Sequence, residues 1–240
     1  MAKPVDLVLF DLGGVLIELP GVRAMLELTS INSEQELWRR WLTCRWVRRL
    51  ESGSCSETEF AAGVVADWQL DLSAAAFLDA FRDWPAGPLP GAAELVAQTR
   101  ASVATGCFSN TNTLHWHDHI AGWPLTGLFD HRFLSFELGL LKPDVAAFAH
   151  VADLLKVPAG RVLFLDDNAV NVAGAAAAGF QAARAAGVEE ARQRLVEAAA
   201  PGTVAQAEFV VPEPARLASP PPCATNDRRP SRPLRTITNC

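Results

Sequence analysis

Four short apolar runs in this chain each give way, at or just past their carboxyl ends, to polar residues able to do chemistry. Residues 6–10 (DLVLF) end in Asp11, followed by Gly13 and Gly14, and residues 103–108 end at Ser109 and Asn110. Residues 133–136 precede a loop holding Lys142, and residues 162–165 end at Asp166 and Asp167. A short apolar run bounded by turn formers reads as a strand buried on both faces. Strands of that kind belong to open parallel sheets, which bind ligands beyond their carboxyl edge. Helical patterns fall between the runs, at 91–99, 143–155 and 168–178. The alternation predicts an α/β fold, a Rossmann-like doubly wound parallel sheet built from residues 1–18 and 90–200.

Between the first two runs lies a long insertion, residues 19–89, with a helical pattern throughout. Ser33 and Glu36 form a capping-box pair ahead of Leu37, Trp38, Trp41, Leu42, Trp46 and Leu50, and Ser56 with Glu59 repeats the box before Phe60, Val64 and Trp68. We read the segment as a separate helical lid and its tryptophans as packing between helices rather than substrate stacking. Arg45, Arg48 and Arg49 read as a solvated face. Residues 201–240, where proline and arginine interleave, are expected to form a disordered tail.

Composition narrows the partners. Half of the 240 residues are apolar and 20% are charged, which excludes disorder of the whole chain. The net charge of -6 argues against nucleic acid or anionic lipid. No apolar run reaches the roughly 18 residues of a membrane span, and Asp6 and Asp11 interrupt the first run where a signal peptide needs an unbroken one. The five cysteines form no CxxC, so neither a disulfide framework nor a zinc knuckle is signalled. A cytoplasmic protein with no membrane or nucleic-acid partner is the expectation. Lysine occurs only at positions 3, 142 and 156, which lends weight to Lys142.

Charge assigns roles to the strand-end residues. A lone strand-end aspartate is as often a turn former, but four chemistry-bearing positions on one edge are hard to attribute to turns. Three converging carboxylates repel unless a hard divalent cation joins them, and Mg²⁺ with several waters is the expected ion. Lys142 then balances the remaining negative charge. The hydroxyl of Ser109, the amide of Asn110 and free backbone N–H groups after Asp11 supply neutral hydrogen bonds to an oxyanion. This is equipment for phosphoryl transfer, in which a carboxylate attacks phosphorus.

The segments FDLGGVL around Asp11, FSNTN at Ser109, GLLKPD at Lys142 and FLDDN at Asp166 occur in the order of the four motifs of haloacid dehalogenase superfamily hydrolases, which the chain resembles over residues 7–179. The resemblance implies that Asp11 is the nucleophile and forms an aspartyl-phosphate, with Ser109 and Lys142 holding the phosphoryl group and Asn110 and Gly14 contributing to substrate binding. It implies that Mg²⁺ is held by Asp11, the backbone carbonyl of Gly13 and Asp167, with Asp166 acting directly or through water. The lid then corresponds to the family's helical cap of the first type. The implied substrate is a small phosphorylated metabolite; monomer and homodimer both remain open.

One position departs from the phosphatase pattern DxDx[TV]: Gly13 stands where that pattern has a second aspartate, the general acid and base. Loss of such assistance costs on the order of 10² to 10⁴ in rate. A good leaving group, a substitute acid from the lid, or a weakened activity could each account for it. The branch resembling sugar-phosphate and glucose 1-phosphate phosphatases includes members with glycine here. Two alternatives stay open: a metal-independent 2-haloacid dehalogenase, and a regulatory or ligand-binding protein of the same fold. The first has no need of the adjacent Asp166 and Asp167, which are costly without a cation.

His115, His117 and His119 follow the Ser109 loop, and we read them as a helix start rather than a zinc site. His115 is the candidate for touching substrate or replacing the missing acid, because its ordinary pKa lies near neutrality. Asn168 and Asn171 are expected to open the helix after the last motif and to orient Asp167 from behind.

Overall fold

The computed structural model describes residues 4–199; the predicted disorder of 201–240 lies outside the described residues. Five strands, β1 (Leu7–Phe10), β4 (Ala104–Ser109), β5 (His131–Leu134), β6 (Val162–Asp166) and β7 (Gln181–Arg184), form one sheet in the order β5-β4-β1-β6-β7, every neighbouring pair parallel. Two further strands, β2 (Ile17–Glu18) and β3 (Gly87–Pro88), pair antiparallel at the two stems of the insertion.

The continuous apolar runs follow from burial on both faces. Leu7 and Leu9 of β1 pack with Phe108, Phe148 and Phe164 on one side, while Val8 and Phe10 pack with Val96, Leu163, Leu165 and Leu195 on the other. With side chains alternating across a strand, a sheet covered on both faces favours apolar residues at successive positions. Helices α6 (Ala92–Arg100) and α11 (Gly187–Ala199) cover the second face, and α9 (Val145–Leu155) and α10 (Ala169–Ala177) the first.

The run at 133–136 is corrected. Pairing of β5 stops at Leu134, opposite Ser109, and the chain turns into the short helix α8 (Ser135–Leu138), ended by Gly139 at φ +69°. The Ser135 hydroxyl accepts from the Thr111 N–H at 2.9 Å and donates to the Thr111 carbonyl at 3.0 Å, so that residue serves the neighbouring loop instead of the ladder.

The insertion holds five helices: α1 (Gly21–Leu28), α2 (Glu34–Thr43), α3 (Arg45–Glu51), α4 (Glu57–Trp68) and α5 (Ala74–Arg82). The Ser56 and Glu59 box forms in both directions, whereas Ser33 only accepts from the Glu36 N–H. The aromatic residues pack on one another as expected: the Trp41 ring lies 4.7 Å from Trp84, 5.8 Å from Phe81 and 6.0 Å from Trp68, and Trp41 is buried. Arg45 pairs with Asp67 at 3.0 Å, but Arg48 departs from a merely solvated role, reaching Asp144 on the sheet side at 3.1 Å. Among the described residues no helix is long and apolar enough to cross a membrane.

Candidate active site

The strand order sets the site. The chain passes from β1 outward to β4 and β5, then returns to β6 on the other side of β1. The crevice where the connections diverge lies beyond the carboxyl ends of β1 and β6. Asp11 is the first residue past β1 and Asp166 the last of β6. Ser109 closes β4, and Lys142 reaches in from the loop before α9.

Lys142 is the hub of the cluster. Its side chain is 1% exposed, and Nζ lies 2.9 Å from Asp11 Oδ1 and 2.6 Å from Asp166 Oδ2, with the rings of Phe108 and Phe164 5.5 and 5.2 Å away. Burial alone lowers an ammonium pKa, but the two carboxylates outweigh it and hold Lys142 above the usual lysine range. The ammonium is therefore a fixed cation and a poor proton donor.

The three carboxylates differ in how they are satisfied. Asp166 is fully buried and both its oxygens are engaged: Oδ1 accepts from the Asn168 N–H at 2.8 Å, Oδ2 from Lys142, and the Asn171 amide reaches both at 3.1 and 3.0 Å. Asp11 Oδ1 accepts from the Leu12 N–H at 2.7 Å and from Lys142, while Oδ2 accepts nothing among the described residues and 12% of the side chain stays open. Asp167 is half-buried beside Gly14. Gly14 sits at φ +72°, and a Cβ there runs into the Asp167 carboxylate, so the first loop approaches this closely only as glycine.

One oxygen from each of Asp11, Asp166 and Asp167 falls within 4.8 Å of the others. Burial, joined by the charges of Asp166 and Asp167, raises the Asp11 pKa against the pull of Lys142. Burial and Asp166 push that of Asp167 up to about 6. Burial is the larger cause of both shifts, and the neighbouring carboxylates add to it. An all-oxygen donor set with a surplus of two charges fits a hard divalent ion such as Mg²⁺. Asp11, with its open Oδ2, and Asp167 are the carboxylates free to meet it, and the Gly13 carbonyl lies on the loop between Asp11 and Gly14.

Several expected roles move. Ser109 keeps an available hydroxyl, engaged only by a long 3.4 Å bond to the Asn110 carbonyl. The Asn110 side chain instead brackets the backbone of Lys142, Nδ2 donating to its carbonyl and Oδ1 accepting its N–H, both at 3.0 Å. That amide positions the lysine rather than facing a ligand. Asn168 and Asn171 hold Asp166, not Asp167.

His115 is corrected too. It is buried in α7 (Thr113–Asp118); Nε2 donates to the Phe81 carbonyl at 2.7 Å and Nδ1 accepts from the Asn112 amide at 3.2 Å. A carbonyl can only accept, which fixes the tautomer. Burial depresses its pKa to about 4, so it is neutral and occupied, tying the insertion to the sheet instead of serving as an acid. Leu114 joins the aromatic cluster of the insertion, Thr113 donates to Glu57 at 3.1 Å, and Arg82 pairs with Asp118. His117 lies by Phe136 and His119 by Asp83, so the three imidazoles meet different neighbours.

One group at the site carried no signal in the sequence. Glu51, the last residue of α3, is half-buried, and the charges acting on its carboxyl are Lys142 and Arg48. Nothing in its local pattern separates it from an ordinary helix-end glutamate.

An open parallel sheet with an acidic, lysine-balanced cluster at its switch point defines a class of α/β enzyme. The chain belongs to the haloacid dehalogenase-like hydrolases, whose family model matches residues 5–179. Solved structures agree on the fold. The HAD family enzyme BT-2542 of Bacteroides thetaiotaomicron, in complex with magnesium and inorganic phosphate, is 21% identical with a TM-score of 0.60, the match covering 75% of this chain and 93% of that one. A predicted HAD-like family hydrolase from Porphyromonas gingivalis is 24% identical at a TM-score of 0.63, covering 80% and 98%. The L-2-haloacid dehalogenase of Xanthobacter autotrophicus, with chloropropionic acid covalently bound, is 23% identical at 0.57, covering 84% and 85%.

Proposed function

We propose that this protein hydrolyses the ester bond of a small phosphorylated metabolite, with Mg²⁺ as cofactor and Asp11 as nucleophile. The observation that carries this reading is the charge count: three carboxylates with oxygens within 4.8 Å of one another, against a single ammonium. A phosphoryl group brings more negative charge to such a site, and only a divalent cation makes that bearable. The magnesium and phosphate bound by BT-2542 lend support by analogy of fold. A 2-haloacid dehalogenase, which Gly13 leaves open and the Xanthobacter autotrophicus structure exemplifies, has no use for the surplus.

Asp11 attacks phosphorus while Oδ1 is steered by the Leu12 N–H and Lys142. Asp11, Asp167 and the Gly13 carbonyl would hold the Mg²⁺, which would supply a Lewis acid for the phosphoryl oxygens. Ser109 donates its hydroxyl to one of those oxygens, and Lys142, held by Asn110 and Asp166, keeps its charge beside the reacting group. The helical insertion is the cap, closing over the carboxyl edge and choosing the substrate.

A panel of sugar phosphates and 2-haloacids, assayed with Mg²⁺ and with chelator, tests the reading. Mg²⁺-dependent phosphate release, cut by roughly 10⁴-fold in Asp11→Asn, is the expected result. Halide release indifferent to chelator would sink it in favour of the dehalogenase, and no product of either kind in favour of a binding protein.

A further inference from the structure

A phosphomonoesterase must move a proton twice, onto the leaving oxygen and off the attacking water, and few groups here can do it. Lys142 is a permanent cation between two carboxylates. Asp166 has both oxygens engaged, His115 has both ring nitrogens engaged, and residue 13 has no side chain. On the phosphatase reading Asp11 is the nucleophile, and Asp167 would hold the cation. Among the described residues, a candidate comes from the insertion.

Helix α3 is docked over the segment that carries Lys142 by contacts on both sides of Glu51. Arg48, one turn earlier and on the same helix face, reaches Asp144, two residues past Lys142, at 3.1 Å. Gly53, two residues later at φ +67°, lies against Phe136, where an added Cβ comes 2.8 Å from the backbone carbonyl. Between these fixed points the Glu51 carboxyl accepts no hydrogen bond and makes no ion pair among the described residues. Lys142 from the sheet side and Arg48 from its own helix are the charges that act on it; α2, α4 and α8, packed against α3, contribute none. A half-buried carboxyl within the field of Lys142, with no partner among the described residues, is free to exchange a proton.

Given the phosphatase reading above, on which this rests, we propose that Glu51 is the proton donor and acceptor of the reaction, supplied by the cap in place of an acid at position 13. As the Asp11 carboxylate forms its bond to phosphorus, the ester P–O bond breaks and the Glu51 carboxyl gives its proton to the departing oxygen. The alcohol leaves. Glu51, now a carboxylate, takes a proton from a water whose oxygen bonds to phosphorus as the Asp11–phosphorus bond breaks. Phosphate departs, with the Asp11 carboxylate and the Glu51 acid regenerated. Burial pushes the Glu51 pKa up to about 7 against the pull of Lys142 and Arg48, so both forms are populated near neutrality. Because the acid rides on the cap, proton transfer is available only while α3 is seated.

The test is Glu51→Gln, which keeps shape and removes the proton. Turnover of alkyl phosphates is expected to fall by about 10²- to 10³-fold. With p-nitrophenyl phosphate, whose leaving group needs no acid, the variant should release one p-nitrophenol per site in a burst and then stall with Asp11 phosphorylated, because the water has lost its base. A purely structural role does not produce that burst. Alkyl phosphate turnover within twofold of the unaltered enzyme overturns the assignment while leaving the phosphatase reading intact. An unaltered enzyme that releases no phosphate with Mg²⁺ overturns both. If the glutamine variant does not fold, Glu51→Ala assayed with added formate serves instead: recovery of alkyl phosphate turnover supports the proposal, and turnover unaffected by the substitution overturns it.

Discussion

The sheet edge and the helical insertion present carboxyls in opposite ways. At the edge, Asp166 accepts from Lys142, Asn168 and Asn171, and Asp11 from Lys142 and Leu12, so each charge is fixed by donors on neighbouring strands and loops. In the insertion, Glu51 has no such donor among the described residues and is carried at the end of α3. The difference separates two requirements. A nucleophile and its counter-ion must be rigid before substrate arrives, since reorganisation during the reaction is costly. A proton carrier must be able to change charge, so a saturating set of donors would disable it.

The sharpest way to break the edge is Lys142→Met. It fills the same volume but leaves Asp166 and Asp11 buried without a cation. Turnover should vanish, and stability should fall by about 3 kcal/mol, or roughly 6–12 °C in melting temperature. A melting temperature unchanged within about 2 °C would show that the lysine is not holding the cluster together.

The join between the two regions is probed by acid. His115 has an ordinary pKa of 6.5 and a folded value of about 4, so as pH falls the unfolded chain takes its proton first. Its contribution to stability is therefore full above about pH 6.5 and lost as pH drops towards 4, a change of about 3 kcal/mol. Denaturant melts of the unaltered protein and of His115→Gln across that window should show the variant's slope flattened. Parallel slopes would mean that the imidazole is not buried neutral between Phe81 and Asn112.

The smallest effect moves the acid from one region to the other. A Cβ at Gly13 comes 2.6 Å from the tip of the Leu19 side chain, so Gly13→Asp needs that side chain to turn aside. In the Glu51→Gln background it should raise alkyl phosphate turnover about tenfold, and in the unaltered enzyme by under about threefold. A large gain in the unaltered enzyme would indicate that no acid is supplied by the insertion.

Much of the site was legible from one dimension, for a definite reason. Where an apolar run gives way to a polar residue, a strand buried on both faces ends, and Asp11, Ser109 and Asp166 were placed on one edge by that rule alone. The rule misjudged residues 133–136, because the apolar run continues past the end of the ladder into α8. The roles of Asn110, Asn171 and His115 escaped it for a different reason. A side-chain amide or imidazole takes whichever partner the fold brings within 3 Å, and those partners, Lys142, Asp166 and Phe81, come from other elements.

The order of apolar runs, turn residues and charges, local properties that act within a few residues, thus determined the parallel sheet and the gathering of carboxylates and a lysine at its edge. Only the tertiary structure decided which oxygens are left open and which are consumed. It also carried the end of α3, some forty residues downstream of Asp11, over the segment that bears Lys142. That placement depends on how the aromatic cluster of the insertion packs and where Arg48 and Gly53 dock, interactions between surfaces that exist only once both are folded.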